Sequence, residues 1–279
     1  MNNNEHNEVE TVMSEQRSAV ILKEIETRGS VSVAELSTRL GVSEMTIRRD
    51  LVELEKAGFV RRVHGGAVSS RGRSYEPSLV VRSNENRAAK EAIGQRAASL
   101  VAGGDSIAID SGTTALELAR NLVGRHNLTV VTPSLLVADV LSGQRDIKLV
   151  LTGGIVRSGE GSLVGDLAQQ AWQGLFVDRL FLGVGAVDAE TGLSEYNWDD
   201  ALVKRAMIHS AKEVIVLADA SKFGRVAFAK IDALSAVHQI VTDQALTSSL
   251  ADACIKHGIV VHVTENEEPE GYDQNHEED

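Results

Sequence analysis

The chain has 279 residues, a formal net charge of −12 and 43% apolar residues, which is enough for one small and one ordinary domain, each with its own core. A single cysteine, Cys254, excludes an internal disulfide and a four-cysteine zinc site, and its place beside Leu250 and Ile255 reads as a buried helix position rather than a reactive thiol. No run of about 18 uncharged apolar residues occurs, and the opening MNNNEHNEVE lacks a basic stretch followed by an apolar one, so no membrane partner and a cytoplasmic location are expected.

Residues 1–13 are polar and acidic, the composition of a disordered end. A small domain is expected over residues 14–70. Within it, Val33 to Leu40 places Val33, Leu36 and Leu40 on one apolar helical face, and Gly41 fits a left-handed C-terminal position. Ser43 can cap the next helix, on which Ile47, Leu51 and Leu54 share a face and which Gly58 ends. With Ile47 at the centre of the buried face, Met45, Arg49, Val52 and Lys56 fall opposite, flanked by Thr46 and Arg48. Phe59, Val60 and Val63 then read as strand, with Gly65 and Gly66 as the turn of a hairpin that carries Arg61, Arg62 and His64.

Two helices around a turn followed by a basic hairpin form a winged helix-turn-helix. Its second helix suits the major groove, where Ser43, Thr46, Arg48 and Arg49 reach base edges or phosphates, and Arg61, Arg62 and His64 meet the neighbouring backbone. From Arg48 to Arg73 there are seven Lys/Arg against three Asp/Glu. Local basicity inside an acidic protein points to an anion-facing patch suited to double-stranded DNA. A solvated charged helix is the alternative.

These residues resemble the DNA-binding segment of the DeoR family of bacterial transcriptional regulators. The resemblance is carried by Ser43, Thr46-Ile47-Arg48-Arg49-Asp50-Leu51, Leu54, Gly58 and Arg62-Val63-His64-Gly65-Gly66-Ala67.

Ser69 to Asn86 is polar with a Gly and a Pro, so residues 71–86 are expected as linker. Residues 87–264 form the second expected domain, because seven β-branched runs alternate with helical patterns. They are Ser106 to Asp110, Leu128 to Thr132, Ile147 to Thr152, Leu180 to Val184, Val214 to Asp219, Gln239 to Thr242 and Ile259 to Val263. Such alternation predicts an α/β fold with a mainly parallel sheet covered on both faces, and ligands then bind beyond the carboxyl ends of the strands. Residues 265–279 are an acidic tail, expected to be disordered.

Three strand-end loops have residues suited to a ligand. Asp110-Ser111-Gly112-Thr113-Thr114 precedes a helix and can cradle a phosphate or carboxylate on unpaired amides and hydroxyls, or the hydroxyls can simply cap that helix. It lacks the Gly-Lys-Ser/Thr of a nucleotide P-loop. Thr152-Gly153-Gly154 with Arg157 is the second loop, and Lys222 in Asp219 to Gly224 the third; either cation can face the site or solvent. Tyr196 and Trp198 can stack on a sugar or pack against protein.

The resemblance to DeoR regulators extends through Lys90 to Gly94, Asp110 to Thr114, Leu151 to Gly154, Ser162 to Gly165, Val203 to Ile208 and Ala218 to Gly224. It implies an effector domain of ribose-5-phosphate-isomerase-like fold that senses a phosphorylated sugar, and a repressor of carbohydrate genes that the effector releases from double-stranded operator DNA. By that analogy the Asp110 to Thr114 loop, the Thr152 to Gly154 loop and Lys222 contact the ligand. One departure is Thr132-Pro133-Ser134, where the family commonly has Thr-Asn-Ser, so an amide donor near the pocket is lost.

The competing class is a sugar-phosphate isomerase fused to a DNA-binding domain. Where that enzyme family keeps Asp-Gly-Ala-Asp, this chain has Val184-Gly185-Ala186-Val187, which removes both acids. Asp110, Asp188, Glu195 and Asp219 remain near strand ends as caps or hydroxyl partners. A plain DNA-architectural protein leaves the anion loops unexplained. The expectation is therefore a regulator without enzyme activity, cofactor or metal site. A homodimer or homotetramer is expected to read paired half-sites, with the sheet domain as interface.

Overall fold

In a computed structural model, residues 17–25, 30–57, 59–69 and 72–264 are described. They fall into two compact units divided between Tyr75 and Glu76. The expected disordered ends, 1–13 and 265–279, and the helix stop at Gly58 lie outside the described residues.

The first unit holds helix α1 (17–25), strand β1 (Ser30–Ser32), helices α2 (Val33–Leu40) and α3 (Glu44–Lys56), and strands β2 (Val60–Val63) and β3 (Gly66–Ser69). The three strands pair antiparallel in the order β1-β3-β2. Gly41 ends α2 at φ 65, and the Ser43 side chain accepts the Thr46 amide at 3.2 Å to start α3. Ile21, Ile25, Leu36, Ile47 and Leu51 are buried together. Helix α1 lies outside the elements expected from the motif; its apolar signature, Ile21 and Ile25 one turn apart, is short. It is also tied to α3 by charge, since Arg17 Nη2 donates to the buried Asp50 at 2.9 Å. The hairpin turn is His64-Gly65, with Gly66 already paired in the strand, one residue earlier than expected.

The second unit begins with α4 (Leu79–Asn84), α5 (Arg87–Ser99), β4 (Ser106–Ile109), α6 (Thr113–Asn121), β5 (Leu128–Thr132), α7 (Leu135–Leu141) and β6 (Ile147–Leu151). A short hairpin, β7 (Ile155–Val156) and β8 (Leu163–Val164), leads through α8 (Asp166–Gln170) to β9 (Val177–Gly183). Then follow β10 (Ala186–Asp188), β11 (Gly192–Glu195), α9 (Trp198–His209), β12 (Ala211–Leu217), β13 (Ala229–Asp232), β14 (Gln239–Thr242), α10 (Ser248–His257) and β15 (Val260–Val263).

Seven of these strands form one parallel sheet in the order β15-β14-β12-β9-β4-β5-β6. They are the seven expected from the β-branched runs. Alternation in β9 and β12 shows why both faces are covered. Leu180, Leu182, Val214 and Val216 join one core with Trp172, Met207 and Cys254, whereas Phe181, Ile215 and Leu217 join another with Ile93, Ile107 and Leu118. Cys254 is buried in α10, as its sequence neighbours suggest. The antiparallel β10-β11-β13 sheet and the β7-β8 hairpin are additions that the strand pattern does not announce.

Two expectations are corrected here. Residues 76–86 are not linker but part of the second unit: α4 is capped by the Ser78 side chain, and the buried Lys90 ammonium donates to the carbonyls of Arg82 and Glu85, the latter at 2.7 Å. Pro133 does not deplete a ligand pocket either. Its carbonyl accepts the Leu163 amide at 2.7 Å, and the buried Ser134 caps α7 through the Val137 amide, so this turn anchors the β7-β8 hairpin.

Candidate functional site

On the first unit, α3 separates two kinds of residue by its 3.6-residue period. Ile47, Asp50, Leu51 and Leu54 are buried, and Met45, Arg48, Arg49 and Lys56 are exposed. Ser43 is exposed and Thr46 partly so at the helix start, while Arg61, Arg62 and His64 are exposed on the hairpin. All seven expected DNA-facing residues are therefore on the surface. Arg48 Nη2 donates to Glu44 at 2.8 Å, an exposed one-turn pair worth little in water and easily exchanged for a phosphate. The Arg62 amide donates to Glu55 at 2.8 Å, which fixes the hairpin against α3. Arg49 makes no ion pair among the described residues.

On the second unit, strand order decides where the site lies. From β4 the chain runs through β5 to β6 at one edge, then crosses to β9 and continues through β12 and β14 to β15 at the other. The reversal between β4 and β9 splays the loops at their carboxyl ends, and this is where open α/β sheets bind ligands. A solvent-open cleft is lined there by Ser111 to Ala115 after β4, Gly183 to Gly185 after β9, and Asp219, Ser221 and Lys222 after β12. Arg82, Glu85, Asn86, Lys90, Glu195, Tyr196 and Lys204 are also on its wall.

The first turn of α6 carries the anion chemistry. Gly112 adopts φ 112, ψ 167 at the helix start, a conformation that favours glycine, and no side chain caps the helix. The first-turn amides therefore face the cavity without a side-chain acceptor, at the positive end of the helix dipole. The Lys222 ammonium lies 5.8 Å from the Tyr196 ring centroid and has no carboxylate partner among the described residues, so its charge is available. Asp219 holds the Lys222 loop: its side chain accepts from the Ser221 amide and hydroxyl and, at 2.9 Å, from Asn86.

The cavity floor is a buried ion cluster. Lys204 Nζ donates to Asp110 Oδ2 at 2.6 Å and to the Gly183 carbonyl at 2.9 Å, and lies 3.1 Å from Glu195 Oε2. Burial opposes the lysine charge, but Asp110, Glu195 and Asp200 outweigh it and hold the ammonium above the usual lysine range. Burial likewise raises Glu195, yet Lys204 and the Tyr196 amide overcome it and keep that carboxyl below the usual range. Asp110 also accepts the Gly183 amide at 3.0 Å. It fastens β4 to β9 beneath the site rather than facing a ligand, because its buried carboxylate is already paired.

Of the other expected effector residues, Ser111, Gly112, Thr113, Thr114 and Lys222 line one cavity. Thr152, Gly153 and Gly154 do not line it. Gly154 serves packing instead, since a Cβ there would come within 2.6 Å of the Val164 carbonyl. The Arg157 guanidinium is paired with Asp200 and donates to Glu76 at 2.8 Å. Tyr196 lines the cavity, whereas Trp198 is half exposed with Arg205 stacked on it at 5.2 Å. Lys90, Arg82 and Lys204 are site residues that periodicity conceals, because each sits in a helix where a lone cation reads as a solvated position.

Comparison with known proteins accords with both units. A helix-turn-helix profile of the DeoR type matches residues 17–72, and a profile described as the DeoR C-terminal sensor domain matches residues 85–244. The chain belongs to the DeoR family. A presumed aga operon transcriptional repressor of Escherichia coli O157:H7 is 37% identical over 253 residues, covering 90% of this chain and 94% of that protein. The glycerol-3-phosphate regulon repressor of Escherichia coli K12 is 32% identical, covering 88% and 96%. The transcriptional repressor GlcR of Bacillus subtilis is 34% identical, covering 91% and 98%. Among solved structures, ribose 5-phosphate isomerase A of Methanocaldococcus jannaschii aligns with a TM-score of 0.38 and 22% identity over 50% of this chain and 55% of that one. This DeoR protein is thus a DNA-binding transcriptional regulator with a sensor domain. No helix among its described residues is long and apolar enough to cross a membrane.

Proposed function

We propose that the protein represses genes of carbohydrate metabolism and is released from its operator by a phosphorylated sugar bound at the β4-β9 switch point. The observation that carries this reading is the first turn of α6, without a side-chain cap and open to a cleft that also holds the Lys222 ammonium, which has no carboxylate partner among the described residues. A phosphate there accepts backbone amides, gains the helix dipole and meets one free cation. Arg48 and Arg49 of α3 supply the base and phosphate contacts on DNA, and Arg61, Arg62 and His64 the backbone contacts.

The sensor acts as a binder without catalysis. Val184 lines the cavity where an isomerase would need a carboxylate; of the carboxylates nearby, Asp110 and Glu195 are committed to Lys204 and Asp219 to Ser221 and Asn86, while Glu85 is exposed to solvent. Asp188 accepts from Thr191 and the Glu190 amide. The repressor works as a homodimer or homotetramer that reads paired half-sites, and effector binding changes operator affinity by a coupling of about 1–3 kcal/mol, roughly 5- to 150-fold.

The test is a thermal-shift panel of sugar phosphates and their unphosphorylated forms, followed by operator binding. A ligand at 100 times its Kd stabilises the fold by about 2.7 kcal/mol. We expect a shift with a phosphorylated sugar alone, and in Lys222→Ala we expect operator binding to persist while release by that sugar is blunted. Shifts from unphosphorylated sugars only, or unchanged release in Lys222→Ala, would count against the site.

A further inference from the structure

Charge is unevenly divided along the chain. Residues 265–279 hold eight of its 40 Asp/Glu and none of its 28 Lys/Arg, and residues 1–13 hold three more acids without a base. The residues between them carry 29 acids against 28 bases, so nearly all of the net −12 belongs to the two ends and most of it to residues 265–279. Like charges so close in sequence repel one another, and an opposite charge elsewhere on the molecule relieves them.

The first unit offers that opposite charge. Arg48, Arg49, Arg61 and Arg62 are exposed on α3 and the β2-β3 hairpin, with His64 at the hairpin turn. Arg49 and Arg61 form no ion pair among the described residues. The pairs of Arg48 with Glu44 at 2.8 Å and of Arg62 with Glu55 at 3.8 Å are exposed. Such pairs are weak and easily exchanged, so the face is as open to an acidic peptide as to phosphates. In the second unit, by contrast, Arg82, Arg157, Arg179 and Lys204 each lie within 3.1 Å of a carboxylate and are neutralised where they stand.

Residues 265–279 follow Thr264, directly beyond β15. At roughly 3.3–3.6 Å per residue such a length extends to about 50 Å, against about 30 Å for the diameter of a small domain. Attachment to the same chain also holds the segment at an effective concentration on the order of millimolar.

We propose that residues 265–279 dock on the face formed by α3 and the hairpin and compete there with DNA. The proposal rests on the reading of that face as the DNA-binding surface. Docking lowers the affinity for every duplex by the same factor, because the segment must leave before phosphates arrive. Non-specific complexes, with a Kd of about 10⁻⁴–10⁻⁶ M, are then largely lost, whereas an operator held at about 10⁻⁸–10⁻¹¹ M stays occupied. The acidic segment thus keeps the repressor off bulk DNA.

Fluorescence anisotropy with a short duplex of random sequence tests this on full-length protein. The wild type is compared with a variant carrying Glu→Gln or Asp→Asn at every acidic position of residues 265–279. The variant is expected to bind about ten-fold more tightly at about 50 mM salt, and the gap to close to about two-fold or less at about 200 mM. In parallel, a spin label on Asp279→Cys, with the native Cys254 buried, is expected to broaden amide signals of α3 and the hairpin, and to lose that effect in the neutralised variant. Equal DNA affinity in wild type and variant overturns the competition; if the label still marks α3, the reading of that face as the DNA surface falls with it. A tighter variant without broadening at α3 or the hairpin overturns the docking, leaves only long-range repulsion, and lets the DNA-facing reading stand.

Discussion

The two units use cations in opposite ways. Arg48, Arg49, Arg61 and Arg62 of the first unit stand in solvent with weak or no partners among the described residues, whereas Lys204, Arg82 and Arg157 of the second are enclosed by carboxylates. An exposed guanidinium loses little by leaving water for a phosphate, so the first arrangement keeps charge ready for a polyanion. An enclosed ammonium holds strands together and cannot be removed without stranding its partners. Lys222 stands between these cases, partly buried at the cleft with no carboxylate partner among the described residues.

Lys204→Met should separate the two uses most sharply. It leaves Asp110 and Glu195 buried without a counter-charge, and the second unit should lose about 3–5 kcal/mol, read from urea unfolding. A loss under about 1 kcal/mol would mean that the cluster is dispensable. Next come Arg48→Ala and Arg49→Ala. Each should cost about 1–3 kcal/mol of operator affinity, measured by fluorescence anisotropy, while changing stability by about 0.5 kcal/mol or less. Wild-type affinity in both would remove α3 from the DNA interface.

A pH-dependent effect comes from Asp200. Its folded pKa of about 6 lies above the ordinary carboxyl value of 3.8, so between those values the native state binds more protons than the unfolded state. Stability from this group therefore falls as pH rises from about 4 to about 6, by an amount on the order of 3 kcal/mol. Asp200→Asn should flatten that part of the profile relative to the wild type. Identical profiles would show that the burial of Asp200 is offset by Lys204 and Arg157.

The sequence by itself carried the local information: the two helices of the motif with Gly41 and Ser43 at their ends, the exposed face of α3, the seven strand runs and the Ser111 to Thr114 loop. These are legible because helical period, strand alternation and capping act within a few residues. Only the tertiary structure decided which distant residues share a wall. It took Thr152 to Gly154 away from the cleft and assigned Gly154 to packing, gave Asp110 to Lys204, and turned residues 76–86 from linker into the segment whose Glu76 and Arg82 pair with Arg157 and Glu160. The physical reason is that pairing between buried charges depends on strand order and helix placement across long stretches of chain, and a side chain's type does not record the partner that the fold brings to it.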